Sequence, residues 1–172
     1  ENMGTDILAL SADVANLPQM QAVIQQTLAH FGHLDGVIHA AGVPGVGLIS
    51  RKTPEAAAAV LAPKVQGTRV LERVLQGLSL DFLVLFSSMS SVTGGGPGQA
   101  DYAAANAFLD AYAQSQATAT IPVITIDWGE WQWNAWEQGT SVHGDRLQEF
   151  FNGIRKKFGI SNTEGFEAFT RA

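Results

Sequence analysis

Short apolar runs alternate with longer stretches of helical periodicity along this chain, and that alternation restricts its fold more than any other feature. One run, DFLVLFSS at 81–88, carries five apolar residues without polar alternation, which indicates a strand buried on both faces. Strands that alternate with helices are typical of βαβ units, so the predicted fold class is α/β with a parallel sheet covered on both sides. The other predicted strands are DILALSA at 6–12, DGVIHAAG at 35–42 and IPVITIDWG at 121–129.

Helix start and stop signals fill the segments between the first strands. Asn16 as N-cap and Gly32 as the stop predict an amphipathic helix between them. Thr53 predicts the N-cap of a second helical pattern, which Pro63 interrupts. We therefore expect residues 54–77 to form either two helices or one kinked helix.

The second half of the chain contains three further helical patterns. A loop of Ser, Thr, Gly and Pro at 89–98 precedes a predicted helix over 99–115. Two short helices are predicted near 145–157 and 163–171, the last with Thr163 as its N-cap. No internal repeat or low-complexity linker separates these patterns, so they are expected to belong to one domain.

Composition bounds the class of protein. The 172 residues match the length of one domain, so residues 1–172 are expected to form one. A net charge of −6 with only 10 Lys and Arg gives no basic surface for nucleic acid or an anionic membrane. The absence of cysteine excludes disulfides and thiolate zinc sites. No apolar run approaches a membrane span and the first residues lack a signal-peptide pattern, so a soluble cytoplasmic protein is expected.

Polar and small residues follow the predicted strands at their carboxyl ends. In open α/β sheets, ligands bind in the crevice beyond those ends. Asp13, residues 39–42, residues 87–88 and residues 128–129 are therefore expected to face one crevice.

Tyr102 and Asn106 lie one helical turn apart at the start of the helix predicted beside this crevice, so they share one face. A free phenol keeps its proton at neutral pH because its pKa is about 10. If Tyr102 is a catalytic acid, another group must therefore tune it. Taken alone, a tyrosine at a helix start is more often a packing residue.

Six segments together resemble the ketoreductase domain of modular polyketide synthases, a branch of the short-chain dehydrogenase/reductase superfamily. They are SADV, GVIHAAGV, LAPKVQGT, LDFLVLFSS, GGPGQADYAAANAFLDAYA and ITIDWGEW, in the family's order and across nearly the whole chain. The resemblance implies a Rossmann-like doubly wound parallel sheet. It also implies NADPH-dependent reduction of the β-keto group of an acyl carrier protein-bound polyketide intermediate to a β-hydroxyacyl group.

The resemblance further implies a catalytic set. Ordinary short-chain dehydrogenases carry a lysine in the place that Asn106 holds here, and Lys64, in LAPKVQGT, matches the displaced lysine of the polyketide ketoreductases. Reduction of a ketone requires a proton donor at its oxygen, and this is the role implied for Tyr102. Lys64 would favour the phenolate form of Tyr102, and Ser88 would hold the same ketone oxygen. Asn106 would orient the lysine or a relay water.

One departure from the family lies in the loop before Tyr102. Ser88 stands one residue farther from Tyr102 than in the family pattern, which indicates one added residue in the glycine run at 94–96. A flexible loop absorbs such an insertion at little cost. Ser88 is therefore the predicted catalytic serine, with Ser90 as the fallback.

The cofactor side is only half represented in the sequence. No GxGxxG motif follows a strand, so we expect the N-terminal βαβ unit with its glycine-rich loop to be missing and this chain to be the C-terminal portion of the domain. We also expect the chain alone to bind NADPH weakly or not at all, and to be inactive. The residues that match the family's NADPH contacts are Asp13, Val14, Ala40, Ala41, Gly42, Trp128 and Gly129.

The partners implied by the resemblance are an acyl carrier protein with its phosphopantetheine-bound substrate, the remaining N-terminal part of the ketoreductase domain and neighbouring synthase domains. Residues 130–160 are expected to form a lid-like segment before the C-terminal helix at 163–171. No nucleic-acid or membrane partner is expected. No metal is expected either, because His30, His33 and His143 lack ligand partners at suitable spacing.

Two other functions remain open. The chain could be a ketoreductase-like scaffold without activity, or a free-standing short-chain dehydrogenase that acts on a small alcohol; the ITIDWGEW segment and the place of Lys64 argue against the second. Trp131, Trp133 and Trp136 either pack in the core or line an acyl tunnel. His39 is expected to be buried beside the cofactor turn rather than to carry protons.

Overall fold

A parallel β-sheet forms the centre of the structure, a computed structural model that describes residues 4–45, 47–133 and 145–172. Its strands are β1 (Gly36–His39), β2 (Phe82–Ser88) and β3 (Val123–Trp128), with β2 in the middle. Both pairings are parallel, as the alternation of strands and helices predicts. The predicted α/β class is therefore confirmed.

The register of the sheet brings the carboxyl ends of the strands to one edge. Ser87 lies opposite Asp127 and Ser88 lies opposite Trp128, while His39 closes β1 on the other side of β2. Parallel strands point the same way, so these ends share one edge of the sheet. This edge is where the predicted crevice begins.

Helices connect the strands and cover the sheet. They are α1 (Leu17–Phe31), α2 (Pro54–Val74), α3 (Ser90–Thr93), α4 (Ala100–Ser115), α5 (Asp145–Phe158) and α6 (Asn162–Arg171), with a short 3-10 turn at Ile49–Arg51. α2 crosses from β1 to β2, and α4 crosses from β2 to β3. The short helix α3 interrupts the segment predicted to be a loop at 89–98.

The predicted ends of the first two helices are confirmed. The side-chain oxygen of Asn16 accepts a hydrogen bond from a backbone N–H of the first turn at 3.1 Å, and Gly32 ends α1 with φ 82°. Thr53 caps α2 in the same way. α2 runs through Pro63 as one helix, so the single helix is the correct one of the two predicted alternatives.

Two apolar clusters hold the helices in place. The buried residues that join β2 to α4 are Leu83, Leu85, Leu109 and Ala113. The second cluster joins α1 to α2 and to the turn that follows α2, and includes Met20, Ile24, Leu71, Leu75 and Leu80. Full burial of such side chains contributes about 1.5–3 kcal/mol each. Because α2 also packs on α4, the two helices and β2 form one packed unit.

The prediction of a strand at 6–12 is wrong. In the described part of the chain these residues pair with no strand, and Ile7 and Leu10 are exposed. An apolar run indicates that a segment suits a sheet, but a strand also needs a neighbour for its backbone hydrogen bonds. The run itself carries no information about whether that neighbour exists.

The N-cap of α6 also differs from its prediction. Ser161, not Thr163, caps the helix: its hydroxyl accepts from the backbone N–H of Glu164 at 3.3 Å, and the Glu164 carboxylate accepts from the Ser161 backbone at 2.9 Å. This reciprocal pair satisfies two N–H groups at once. Thr163 lies inside the first turn, because Ser161 has a glutamate at the spacing that a capping box requires and Thr163 does not.

The segment predicted to be lid-like, 130–160, is described only in part. Residues 134–144, which include Trp136 and His143, lie outside the described residues. The ring of Trp131 packs so closely on Gly165 of α6 that no Cβ would fit there, so Trp131 is a packing residue. Trp133 is exposed.

Among the helices of the described ranges, none combines the length and the apolar character that crossing a bilayer needs. In the same ranges, no group of three or more His, Cys, Asp or Glu side chains is placed to hold a metal ion.

Replacing Gly67 with alanine tests the contact between α2 and the segment before α1. A Cβ at residue 67 would lie 2.8 Å from Val14 Cγ1, and β-branched side chains have little freedom to move aside. We expect Gly67→Ala to lower the free energy of unfolding, measured in urea, by about 1–3 kcal/mol. The control is Gly153→Ala in α5, where a Cβ meets no atom within 4 Å. The control should gain about 1 kcal/mol from helix propensity, and equal responses would contradict the contact.

Candidate active site

Lys64 is buried where α2 passes the carboxyl end of β2. It is 5% exposed, and its Nζ donates to the carbonyl oxygen of Phe86 at 2.7 Å. Burial lowers the pKa of Lys64 to about 8, against a smaller opposing effect of the negative charge of Asp110. The cation therefore lies against the strand end that carries Ser88, although a lysine after a proline would by itself be expected in solvent.

His39 lies beside this lysine at the end of β1. It is 4% exposed, and its Nε2–H donates to the carbonyl oxygen of Pro63 at 3.2 Å. Burial, followed by the charge of Lys64, lowers the pKa of His39 to about 4, while the bond to Pro63 opposes the shift. The imidazole is therefore neutral at neutral pH. The predicted buried position of His39 is confirmed.

Ser88 closes β2, next to Trp128 on β3. Its Oγ accepts from the backbone N–H of Ser90 at 3.2 Å, at the start of α3. A hydroxyl that accepts one hydrogen bond still has its own proton to donate. The hydroxyl of Ser90 is buried and has no partner among the described residues. Both serines therefore lie at this strand end, and the choice of Ser88 over Ser90 stays a prediction.

Tyr102 and Asn106 lie on the first turns of α4, as predicted. The Nδ2 group of Asn106 donates to the backbone carbonyl oxygen of Tyr102 at 2.8 Å, and Asn106 is fully buried. Its Oδ1 has no partner in the described part of the chain, so one buried acceptor is left for another group. The hydroxyl of Ser87 donates to the backbone carbonyl oxygen of Asn106 at 3.3 Å, which ties α4 to β2.

These contacts link the predicted catalytic residues through the packed unit of α2, β2 and α4. Lys64 bonds Phe86, the next strand residue bonds Asn106, and Asn106 bonds the backbone of Tyr102. Ser88 follows at the end of the same strand. The structure thus places all four predicted residues on elements that meet at one edge of the sheet.

The predicted NADPH contacts in the first half of the chain differ in their exposure to solvent. Ala40 and Ala41 are exposed just after β1, and Gly42 is half-buried. Asp13 is exposed, and its Oδ1 accepts from a backbone N–H two residues later at 2.9 Å. Val14 packs against α2 in the second apolar cluster, so it is at least partly a core residue.

Trp128 and Gly129 form the strand end on the other side. Trp128 is buried against Phe86 and Trp131, with ring centroids 5.4 Å and 4.9 Å away, and its indole N–H has no acceptor among the described residues. A cleft of about 400 Å³ opens beside it. Trp128 and Gln132 line this cleft together with residues of α5, α6 and the turn between them, and none of the four predicted catalytic residues does. The cleft is therefore not the catalytic crevice itself.

Two acidic residues behind the strand ends were missed by the sequence analysis. Burial raises the pKa of Asp127, the nearby Ser87 hydroxyl partly offsets this shift, and the Asp110 carboxyl raises the pKa again. The Oδ1 atoms of both carboxyl groups are buried without a donor in the described part of the chain. Two sequence features mark these residues: Asp127 interrupts an apolar run, and Asp110 lies one helical turn after Asn106.

Comparison with known proteins links this geometry to one family. The sequence profile described as KR domain matches residues 1–133. The 6-methylsalicylic acid synthase of Aspergillus niger is 36% identical over 173 residues, which cover 99% of this chain and 9% of that protein. Polyketide synthase PksL of Bacillus subtilis is 39% identical over 114 residues, or 66% of this chain and 2% of that protein. The chain thus spans a small part of the length of these relatives.

Two solved structures of similar fold are described as ketoreductases. An N-terminal ketoreductase from the macrolactin assembly line matches with a TM-score of 0.79 and 31% identity, over 98% of this chain and 32% of the other. A ketoreductase from the first module of phoslactomycin biosynthesis in Streptomyces sp. HK803 matches with a TM-score of 0.76 and 30% identity, over 96% of this chain and 36% of the other.

The lowered pKa of Lys64 predicts a pH-dependent stability. Between about pH 8 and pH 10.5 the folded state loses this proton before the unfolded state does, so the unfolded state binds more protons in that window. Wild type should therefore gain stability relative to Lys64→Met as pH rises, by at most about 1.4 kcal/mol per pH unit. Urea denaturation of both proteins across this range measures the difference.

The control for this pH series is Lys156→Met, at an exposed lysine of α5. Its stability difference from wild type should not change with pH across the window. Parallel pH curves for wild type and Lys64→Met would contradict a buried, charged lysine.

Proposed function

The chain belongs to the KR domain family, and from this premise we propose that it reduces the β-keto group of an acyl carrier protein-bound polyketide intermediate to a β-hydroxyacyl group, with NADPH as hydride donor. Its relatives are polyketide synthases, and its structural neighbours are ketoreductases of the short-chain dehydrogenase/reductase superfamily with a Rossmann-like fold. The proposed catalytic set is Tyr102, Ser88, Lys64 and Asn106.

The buried cation of Lys64 is the observation that carries this proposal. If Lys64 lay in solvent, its match to the family's lysine would not support a role in catalysis, because a solvent-exposed charge is screened and mobile. Here the Nζ group is fixed on the Phe86 carbonyl oxygen at 2.7 Å, two residues before Ser88. The helix that holds it packs directly on α4, which carries Tyr102.

Tyr102 and Ser88 act on the ketone oxygen. As the carbon accepts a hydride, the oxygen gains negative charge, and a proton donor lowers the barrier to that step. Tyr102 donates the proton, and the Ser88 hydroxyl donates a hydrogen bond to the same oxygen. This use of Ser88 agrees with its geometry, because its one observed bond is accepted by its oxygen and leaves its proton available.

Lys64 and Asn106 support the tyrosine. An ammonium near a phenol stabilises the phenolate left after proton transfer. An ammonium has three donors, and one of those of Lys64 is used on Phe86, so donors remain for a second partner. The Oδ1 of Asn106 is a buried acceptor without a partner among the described residues, which suits it to the lysine or to a water that returns a proton.

Five of the residues proposed to hold NADPH lie at the carboxyl ends of β1 and β3, at the same edge of the sheet: Ala40, Ala41, Gly42, Trp128 and Gly129. Ala40 and Ala41 are exposed and carry only methyl groups, so a ribose can approach the backbone there. Trp128 offers a buried indole N–H that lacks an acceptor in the described ranges. Val14 fits an adenine contact only in part, because it also packs against Gly67. When bound, NADPH supplies the hydride, and the chain supplies its orientation.

The proposed substrate arrives on a carrier. In a multidomain synthase the acyl chain is presented by the phosphopantetheine arm of an acyl carrier protein, and neighbouring synthase domains are further proposed partners. The relatives named above are polyketide synthases of which this chain matches only a small part, which supports such an arrangement.

Tyr102→Phe tests the proton donor. In the protein at its natural length, NADPH consumption with a β-ketoacyl thioester should fall by about 100- to 10,000-fold. The matched control is Tyr112→Phe on the same helix, whose ring stacks on Phe108 at 6.2 Å and which should keep its activity. Wild-type turnover by Tyr102→Phe would reject the role, and no turnover by wild type would favour the scaffold alternative.

Ser88→Ala and Ser90→Ala separate the two candidate serines. Loss of a donor to the developing oxyanion should lower kcat by about 100- to 1,000-fold in Ser88→Ala. Ser90→Ala should retain most of the wild-type kcat, because the Ser90 hydroxyl is buried and is not required on the ketone oxygen. The opposite order of kcat values would move the role to Ser90.

A further inference from the structure

A buried ion pair joins the chain after β1 to the first turn of α4. Lys52 Nζ lies 2.6 Å from Asp101 Oδ2, and the two side chains are only 8% and 5% exposed. Lys52 Nζ also donates to the carbonyl oxygen of Gly98 at 3.1 Å, and Asp101 Oδ1 accepts from the backbone N–H of Tyr102 at 2.9 Å. Both charges are paired and hydrogen-bonded, which is the condition under which buried ions are tolerated.

The start of α4 needs such support. Its N-cap residue, Gln99, makes no side-chain hydrogen bond to the helix, and uncapped helix ends fray. The preceding loop contains Gly94, Gly95 and Gly98 at positive φ, and glycine-rich loops lose the most conformational freedom on ordering. Tyr102 is the third residue of α4, so whatever fixes the first turn also fixes its backbone.

Two glycines allow the segments to approach this closely. A Cβ on Gly45 would lie 2.5 Å from Asp101 Oδ1 and 2.9 Å from Tyr102 Cβ. A Cβ on Gly98 would lie 3.1 Å from backbone atoms of Gly47. The segment after β1 therefore lies directly against both the glycine loop and the first turn of α4.

We propose that Lys52 and Asp101 are positioning residues for Tyr102: their ion pair holds the glycine loop and the first turn of α4 against the segment after β1. This inference rests on the proposed function, in which Tyr102 donates the proton. Neither side chain is placed on the ketone, since both bind backbone groups around Tyr102 and act through it. Misplacement of a reacting group by about 1 Å costs on the order of 100-fold in rate.

Two variants separate positioning from stability. Lys52→Met leaves the Asp101 carboxylate buried without its cation, so both Tm and kcat should fall. The double variant with Lys52→Met and Asp101→Asn removes the stranded charge and keeps an amide oxygen for the Tyr102 N–H, so Tm should recover. The Gly98 carbonyl oxygen still lacks the hydrogen bond from Lys52, so kcat should stay roughly 10- to 100-fold below wild type with little change in KM.

Hydrogen exchange gives a measurement that does not depend on catalysis. Backbone amides of residues 94–102 should exchange faster in Lys52→Met and in the double variant than in wild type. The matched control is Arg171→Met, which breaks the exposed pair between Arg171 and Glu167 at 3.6 Å. This control should leave kcat and the exchange of residues 94–102 unchanged.

Three results would overturn the inference: a wild-type kcat in Lys52→Met, recovery of kcat together with Tm in the double variant, or unchanged exchange at residues 94–102. A wild-type protein without reductase activity would instead reject the proposed function. In that case the exchange measurement would still decide whether the ion pair holds the loop.

Discussion

The bond from the Lys64 ammonium to the Phe86 carbonyl oxygen is the contact on which the candidate site depends. A buried cation is unfavourable unless it is paired, and here a carbonyl group and the charge of Asp110 offset part of that cost. The bond sets where α2 stands relative to the end of β2. Because α4 packs on both, it also sets where Tyr102 and Asn106 stand.

The site is assembled from polar groups whose hydrogen bonds are incomplete within the described ranges. Asn106 Oδ1, Trp128 Nε1 and the Oδ1 atoms of Asp110 and Asp127 are buried there without a matching donor or acceptor. Each such group costs stability, since burial removes its water without replacing it. A cluster of such unsatisfied polar groups at one edge of a sheet is typical of a functional site, where a bound ligand supplies the missing hydrogen bonds. The free protein is less stable for it.

The sequence predicts those features that depend on neighbouring residues. The caps at Asn16 and Thr53 act within one helical turn, so their residue types are sufficient to place them. Strand pairing is not local, and the run at 6–12 fails as a strand for that reason. Lys52 and Asp101 lie 49 positions apart, so nothing in the sequence marks them as partners. Lys64 was predicted only through a family resemblance, because its burial depends on non-local contacts: α2 packs on α4, and the Nζ group bonds the Phe86 carbonyl oxygen of β2.

Gly45 and Asp101 limit the replacements that each position tolerates, because Gly45 has no side chain where it faces the Asp101 carboxylate. Any larger residue at 45 would displace the Asp101 carboxylate, and loss of that carboxylate would leave the Lys52 cation unpaired in the interior. A single replacement at Gly45, Lys52 or Asp101 is therefore unfavourable unless the other positions change with it. We therefore expect natural replacements at these three positions to occur together, whereas the solvent-facing residues of α4 should tolerate single replacements.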